Sequence, residues 1–163
     1  YQNEQVSIAS LLVQCCGDND SSTRKFACFA VGNAAFHNPN LYRALSHSIE
    51  SLKICLNDND DKTRANAAGA LGNLARNGGE LAKRMANAEI PQRLLSLIYP
   101  LKDTTSGNSP AKSPSKRVSS SLSDIFEREL LFSDAERISS KRTAIFSLGT
   151  MAAYDSCRNN LLQ

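Results

Sequence analysis

Apolar residues recur along the chain at helical spacing. Ala27, Ala30, Val31 and Ala34 fall at i, i+3, i+4 and i+7, and Ala67, Ala70, Leu71 and Leu74 repeat the set. This spacing puts one apolar stripe on one side of a helix. The stripes are mostly alanine, which lets neighbouring helices approach closely. Ile8, Leu11, Leu12 and Cys15 form an apolar helix before the first stripe, and Ile49, Leu52 and Leu56 form one before the second. Asp18 to Ser22 and Asp58 to Asp61 separate the paired helices, and short acidic residues there predict caps at helix N-termini. Shorter amphipathic pieces, Leu41 to Ser46 and Leu81 to Ala88, follow the stripes. Each unit reads as a short helix and two long ones, and no segment alternates as a strand does.

The units are copies. A shift of forty residues lays Cys15-Cys16-Gly17-Asp18-Asn19-Asp20 on Cys55-Leu56-Asn57-Asp58-Asn59-Asp60, and Thr23-Arg24 on Thr63-Arg64. The same shift lays Ala30-Val31-Gly32-Asn33-Ala34 on Ala70-Leu71-Gly72-Asn73-Leu74. A period near forty is in the range of stacked helical repeats. A third copy opens at Ile90-Pro91, with proline suited to a first helical turn. It resumes at Lys141-Arg142 and runs to Tyr154, where Ala144, Ser147, Leu148 and Met151 keep the stripe spacing and Gly149 falls where Gly32 and Gly72 fall. About 37 residues are inserted between its halves. Residues 104–123 are rich in Ser, Thr, Pro, Gly and Asn and predict disorder. Ile125, Phe126, Leu130, Leu131 and Ile138 predict a helix that packs back on the stack. The organisation expected is repeats over 1–101, a basic disordered insertion over 102–123, an inserted helix over 124–138, and the rest of the third repeat with the start of a fourth over 139–163. The chain opens in mid-pattern, as expected of a piece of something longer.

The stripe Lys62-Thr-Arg-Ala-Asn-Ala-Ala-Gly-Ala-Leu-Gly-Asn-Leu-Ala-Arg-Asn77 resembles an armadillo repeat, as does Lys25-Phe-Ala-Cys-Phe-Ala-Val-Gly-Asn-Ala-Ala-Phe-His-Asn38. With Leu41-Tyr42 after it, the pair resembles the armadillo region C-terminal to the kinase domain of Fused-type serine/threonine kinases, called Two-in-one in plants. The resemblance covers roughly residues 8–100. It implies an all-α fold, a right-handed armadillo solenoid of about three repeats with an inserted loop in the third. It also implies a protein-interaction scaffold in the cytoplasm, associated with cytoskeleton or cilium. Its partners would be kinesin-like motors, Hedgehog-pathway components, or ciliary or cytokinesis machinery. The alternatives are a regulatory segment docking on its own kinase domain, or an unrelated armadillo adaptor of the catenin or importin type.

Composition narrows the classes. With 41% hydrophobic residues the chain can bury a core, unlike a disordered one. No apolar run approaches the roughly 18–20 residues of a membrane span, and no signal-peptide pattern opens the chain. The net charge of +3 lies in 102–123, where Lys102, Lys112, Lys116 and Arg117 face Asp103 alone. The rest carries fifteen charges of each sign, which argues against nucleic acid as a partner. Five cysteines, none in a C-x-x-C pair, read as buried thiols in a reducing compartment. His37 and His47 complete no metal set with them, so no metal and no cofactor is expected.

No nucleophile, base or phosphate loop suggests an enzyme in this fragment or a small-molecule substrate, and no kinase motif is present. Gly72 falls inside a helix, where close packing explains it, and Gly78-Gly79 reads as a helix stop. Asn33 and Asn73 hold one position in consecutive stripes. In armadillo proteins such an asparagine lines the concave face and pairs with the backbone of an extended peptide; the other reading is a bridge between helices. Thr150 takes the position in the third copy, and Phe29, Gly69 and Phe146 stand where nuclear-import binders place Trp. The expected groove patch is Phe29, Asn33, Phe36, Asn73 and Arg76. Ser109 and Ser113, both in Ser-Pro-x-Lys, and Ser119 after Lys116-Arg117 are phosphorylation candidates.

Overall fold

The computed structural model describes residues 7–76, 79–99 and 139–162. The insertion expected over 102–138, with its helix over 124–138 and with Ser109, Ser113 and Ser119, lies outside them. The described residues are helical with short connections and contain no strand. In chain order the helices are α1 (Ile8–Cys15), α2 (Ser21–His37), α3 (Tyr42–Leu45), α4 (Ile49–Cys55), α5 (Asp61–Ala75), α6 (Gly79–Asn87), α7 (Ile90–Ile98), α8 (139–151) and α9 (Asp155–Leu161). Turns of 3-10 helix, Pro39–Leu41 and Ser46–Ser48, flank α3.

The repeated Asp-Asn-Asp loop has a local cause. Asp18 Oδ1 accepts from the Asp20 amide at 2.8 Å, and Asp58 Oδ1 from the Asp60 amide at 3.0 Å. The second aspartate of each loop then caps a helix: Asp20 Oδ2 accepts from the Thr23 amide at 2.7 Å, and Asp60 Oδ2 from the Thr63 amide at 2.9 Å. The arginine that follows closes the loop. Arg24 donates to the carbonyls of Asp18 and Asn19, and Arg64 to those of Asp58 and Asn59. Two aspartates, a threonine and an arginine thus start both α2 and α5.

The long helices α2 and α5 pack along their lengths, α1 packs on α2, and α4 packs on α5. Val31, Leu52, Leu71, Leu74 and Met85 are fully buried among them. α1 covers its whole apolar pattern, and α4 ends one residue before Leu56. α4 is seven residues, because Ser46–Ser48 winds as a tighter turn and Ser48 Oγ donates to the Leu45 carbonyl at 2.6 Å. Gly79 opens α6 instead of ending α5, so the stop falls before it.

Stacking depends on small side chains. Ala70, fully buried, sits where a Cβ on Gly32 would lie 3.4 Å from its Cα and 3.5 Å from its Cβ. One step on, a Cβ on Gly72 would lie 3.0 Å from Ser147 Cβ and 3.2 Å from Ser147 Cα. Ser147 Oγ donates to the Ala68 carbonyl at 2.8 Å, so α8 lies on α5 as α5 lies on α2. Cys16, Cys28 and Cys55 meet in the core beneath α1 and α2, with Cys55 Sγ donating to the Cys16 carbonyl at 3.2 Å. Hydrogen bonding to Cys16 and Cys55, together with burial, pushes the Cys28 thiol far up and keeps it protonated.

Candidate functional site

Stacking leaves one edge of α2, α5 and α8 uncovered. Lys25, Phe29, Asn33 and Phe36 line that edge on α2, and Lys62, Asn66, Gly69 and Asn73 on α5, with Arg76 just beyond the helix. Arg142, Phe146 and Thr150 continue it on α8. Phe29 is 55% exposed, Phe36 51% and Phe146 63%. Large aromatic surface left in water on a helical edge is the feature that marks an interaction site. Gly69 occupies the same phase as Phe29 and Phe146, so the edge dips between two aromatic rings.

The expected patch residues are not equivalent. Asn73 Nδ2 donates to the Gly32 carbonyl at 3.0 Å, and Asn66 Nδ2 donates to the Lys25 carbonyl at 3.0 Å. Both amides bridge α5 to α2. Asn73 therefore commits one of its two amide N–H groups to the stack and is half-buried, whereas Asn33 is exposed. Thr150 Oγ1 donates within its own helix, to the Phe146 carbonyl at 3.2 Å. Of the two expected rungs, Asn33 is thus exposed and Asn73 is tied into the stack.

Arg76 and Phe36, forty residues apart in sequence, meet on this edge. The Arg76 guanidinium carbon lies 4.7 Å from the Phe36 ring centroid, and His37 stacks edge-on against that ring at 4.9 Å. The Tyr154 hydroxyl donates to the Arg76 carbonyl at 3.3 Å, which ties the end of α5 to the turn between α8 and α9. At the other end a cleft of about 360 Å³ opens between α2 and α5, lined by Lys25, Phe26, Phe29, Lys62, Asn66 and Ser139. Lys25 Nζ lies 5.1 Å from the Phe26 ring centroid.

The electrostatics of the edge are one-sided. Across α2, α5 and α8 the only carboxylate is Asp61. It is buried, bonded to Arg64 Nη2 at 2.7 Å and to Ser140 Oγ at 2.6 Å. Lys62, Arg76 and Arg142 are thus exposed with no acid beside them on the long helices, and Lys25 is half-buried near the Asp60 cap. The described residues carry thirteen Lys and Arg against nine Asp and Glu, and all of those acids but Asp61 sit in the loops and short helices. The signal was present in the sequence as three stripe helices nearly free of Asp and Glu. Lys25, Lys62, Phe146 and Arg142 are edge residues that stripe phase alone did not select.

Among the described residues no group of three His, Cys, Asp or Glu side chains is placed to hold a metal ion. No described helix is long and apolar enough to cross a membrane. Comparison of the chain with protein-family models, with curated proteins and with solved structures finds no match.

Proposed function

We propose that this chain is an armadillo-type scaffold that binds an extended, acidic segment of a partner protein along the edge formed by α2, α5 and α8. The observation that carries the reading is the uncovered row of Phe29, Phe36 and Phe146 beside Lys25, Lys62, Arg76 and Arg142, with no exposed carboxylate on those helices. Aromatic surface supplies apolar area, basic groups select an acidic partner, and Asn33 offers both a donor and an acceptor to a peptide group. By the resemblance of its stripes, the chain is the non-catalytic armadillo region of a Fused-like serine/threonine kinase, and the partner is a kinesin-like, Hedgehog-pathway, ciliary or cytokinesis component.

The test is a display library of twelve-residue peptides selected on the immobilised chain, with affinities of selected peptides measured by calorimetry. Enrichment of acidic peptides containing an aromatic or apolar residue is expected. Arg76→Glu together with Lys62→Glu should weaken their binding roughly tenfold or more, and the loss should shrink at high salt because exposed charges are screened. Selection of basic peptides, or binding indifferent to both substitutions, would remove the edge as the site. The family assignment has its own test: a kinase domain encoded upstream in the parent gene supports it, and its absence refutes it.

A further inference from the structure

We propose that a cavity between α3 and α6 is a binding site for a phosphate monoester. The cavity is about 860 Å³ and lies between the turns that flank α3 and the start of α6. Arg43, Ser46 and His47 line one side, and Glu80 and Arg84 the other. None of its lining residues belongs to α2, α5 or α8, so it is separate from the edge assigned to an acidic segment. The sequence places charge here because the apolar residues of both short helices turn inward. Leu45 is buried on α3, and Leu81, Ala82, Met85 and Ala86 are buried on α6. Arg43 and Arg84 are left on the exposed sides.

A buried hydroxyl holds one of the two guanidinium groups in place. Ser46 is 5% exposed, and its Oγ donates to the Arg43 carbonyl at 2.8 Å. The same oxygen accepts from Arg84 Nη1 at 2.9 Å, across from one repeat to the next. Its proton is committed to the carbonyl, so the hydroxyl meets Arg84 as an acceptor. Neither arginine has an acid partner. Glu80 precedes Arg84 by four residues, a spacing at which helix ion pairs form. Yet among the described residues no carboxylate lies within 4 Å of the Arg43 or Arg84 guanidinium. Arg24, Arg64 and Arg158, by contrast, each pair with an aspartate.

The chemistry selects the ligand. A guanidinium presents its N–H donors as a planar fork that matches two oxygens of a phosphate or carboxylate. Arg84 spends one N–H on Ser46 and keeps the rest of its fork. A phosphate monoester brings close to two negative charges and three acceptor oxygens at neutral pH, enough for both arginines. A single carboxylate brings one charge and would leave one arginine unmatched. Glu80 is the carboxylate in the lining, and it opposes an anion without cancelling two cations. The volume suits a phosphate together with the group that carries it. Phosphoserine in a partner protein and a small phosphorylated metabolite present this same group, and the experiment separates them.

Calorimetry of the 163-residue chain tests this with a short Gly/Ala peptide carrying a central phosphoserine, its serine twin, and glycerol 3-phosphate. The phosphopeptide should bind and its serine twin should not. Arg43→Gln and Arg84→Gln should each weaken that binding roughly tenfold or more, because charge-assisted bonds are the strong ones. Arg84→Lys keeps the charge and loses the fork, and should also weaken it. Glu80→Gln should tighten it by removing a like charge. Arg43→Gln, at an exposed position, carries the test if Arg84→Gln melts early. Lys62→Glu, at the opposite end of α5, should leave phosphate binding unchanged, which separates this site from the edge. Glycerol 3-phosphate binding as tightly as the phosphopeptide would support the site and make a metabolite its source. Equal affinity for the phosphorylated and serine peptides, no binding of either phosphate probe, or binding indifferent to both arginine substitutions would overturn the proposal.

Discussion

Arg24 and Asp58 form an ion pair across the stack, from α2 to the loop before α5, with Nε to Oδ2 at 2.6 Å. The Asp58 side chain is 6% exposed. Burial works against its charge, but the Arg24 hydrogen bond, the Asp60 amide and the charges of Arg24 and Arg64 outweigh it. Together they hold the carboxyl below its ordinary 3.8. Each arginine closes its own loop, and Arg24 also ties one repeat to the next.

This pair sets a pH dependence. A depressed folded-state value means the contribution is complete above about 3.8, the unfolded value, and is lost as pH falls through the lower folded value. Asp58→Asn should be less stable than wild type at pH 7, and the difference should shrink as pH falls below ~3.8, where the unfolded carboxyl protonates first and the folded one at lower pH. Urea unfolding at pH 7 and at pH 3 measures it. An unchanged difference at both values would mean the ion pair contributes nothing.

Glycines at one phase should answer oppositely to the same substitution. Alanine normally stabilises a helix interior over glycine by about 0.5–1 kcal/mol. Gly149→Ala should show that gain, since its Cβ meets no described atom. Gly72→Ala places a Cβ against Ser147 and should cost about 1–3 kcal/mol by overpacking. Denaturant midpoints of the two variants give the comparison, and equal shifts would show that α8 does not press on α5 at Gly72.

Ala70 is the matching probe on the first interface. It is fully buried against Gly32, and Ala70→Leu should cost about 1–3 kcal/mol by overpacking. A variant melting at the wild-type temperature would contradict the seating of α5 on α2.

The two asparagines should separate. Asn73→Ala removes the bond to the Gly32 carbonyl and should lower stability by about 0.5–1.5 kcal/mol. Asn33→Ala removes no internal bond and should leave the monomer's melting temperature unchanged while weakening peptide binding. Thermal melts read the first effect and calorimetry the second. A stable Asn73→Ala beside a destabilised Asn33→Ala would reverse the assignment.

The Arg76–Phe36 contact is measurable as a coupling. A double-mutant cycle of Arg76→Ala and Phe36→Leu should give about 0.5–1 kcal/mol, the range of an exposed cation–π pair at this separation. Zero coupling would show that the two side chains are independent on the surface.

The sequence by itself determined the helices and their repetition. Apolar residues at 3.6-residue spacing can satisfy a core only as helices, and the Asp-Asn-Asp-x-x-Thr-Arg loop starts α2 and α5 with bonds made within six residues. Those interactions are local, so periodicity and loop chemistry express them directly. Gly72 was legible too, as a small residue in a helix interior that only close packing explains. What the tertiary structure alone decided is which copy of a repeated residue has a neighbour. Asn33 and Asn73 share a phase and a preceding glycine, yet one is exposed and the other bonds a carbonyl forty-one residues away. Gly72 and Gly149 differ in the same way, one pressed by Ser147 and the other open. The pairing of Arg76 with Phe36, and of Arg24 with Asp58, likewise depends on one repeat lying against the next. A period repeats the residues, whereas burial depends on what lies above and below each copy, and only the stacked chain supplies that.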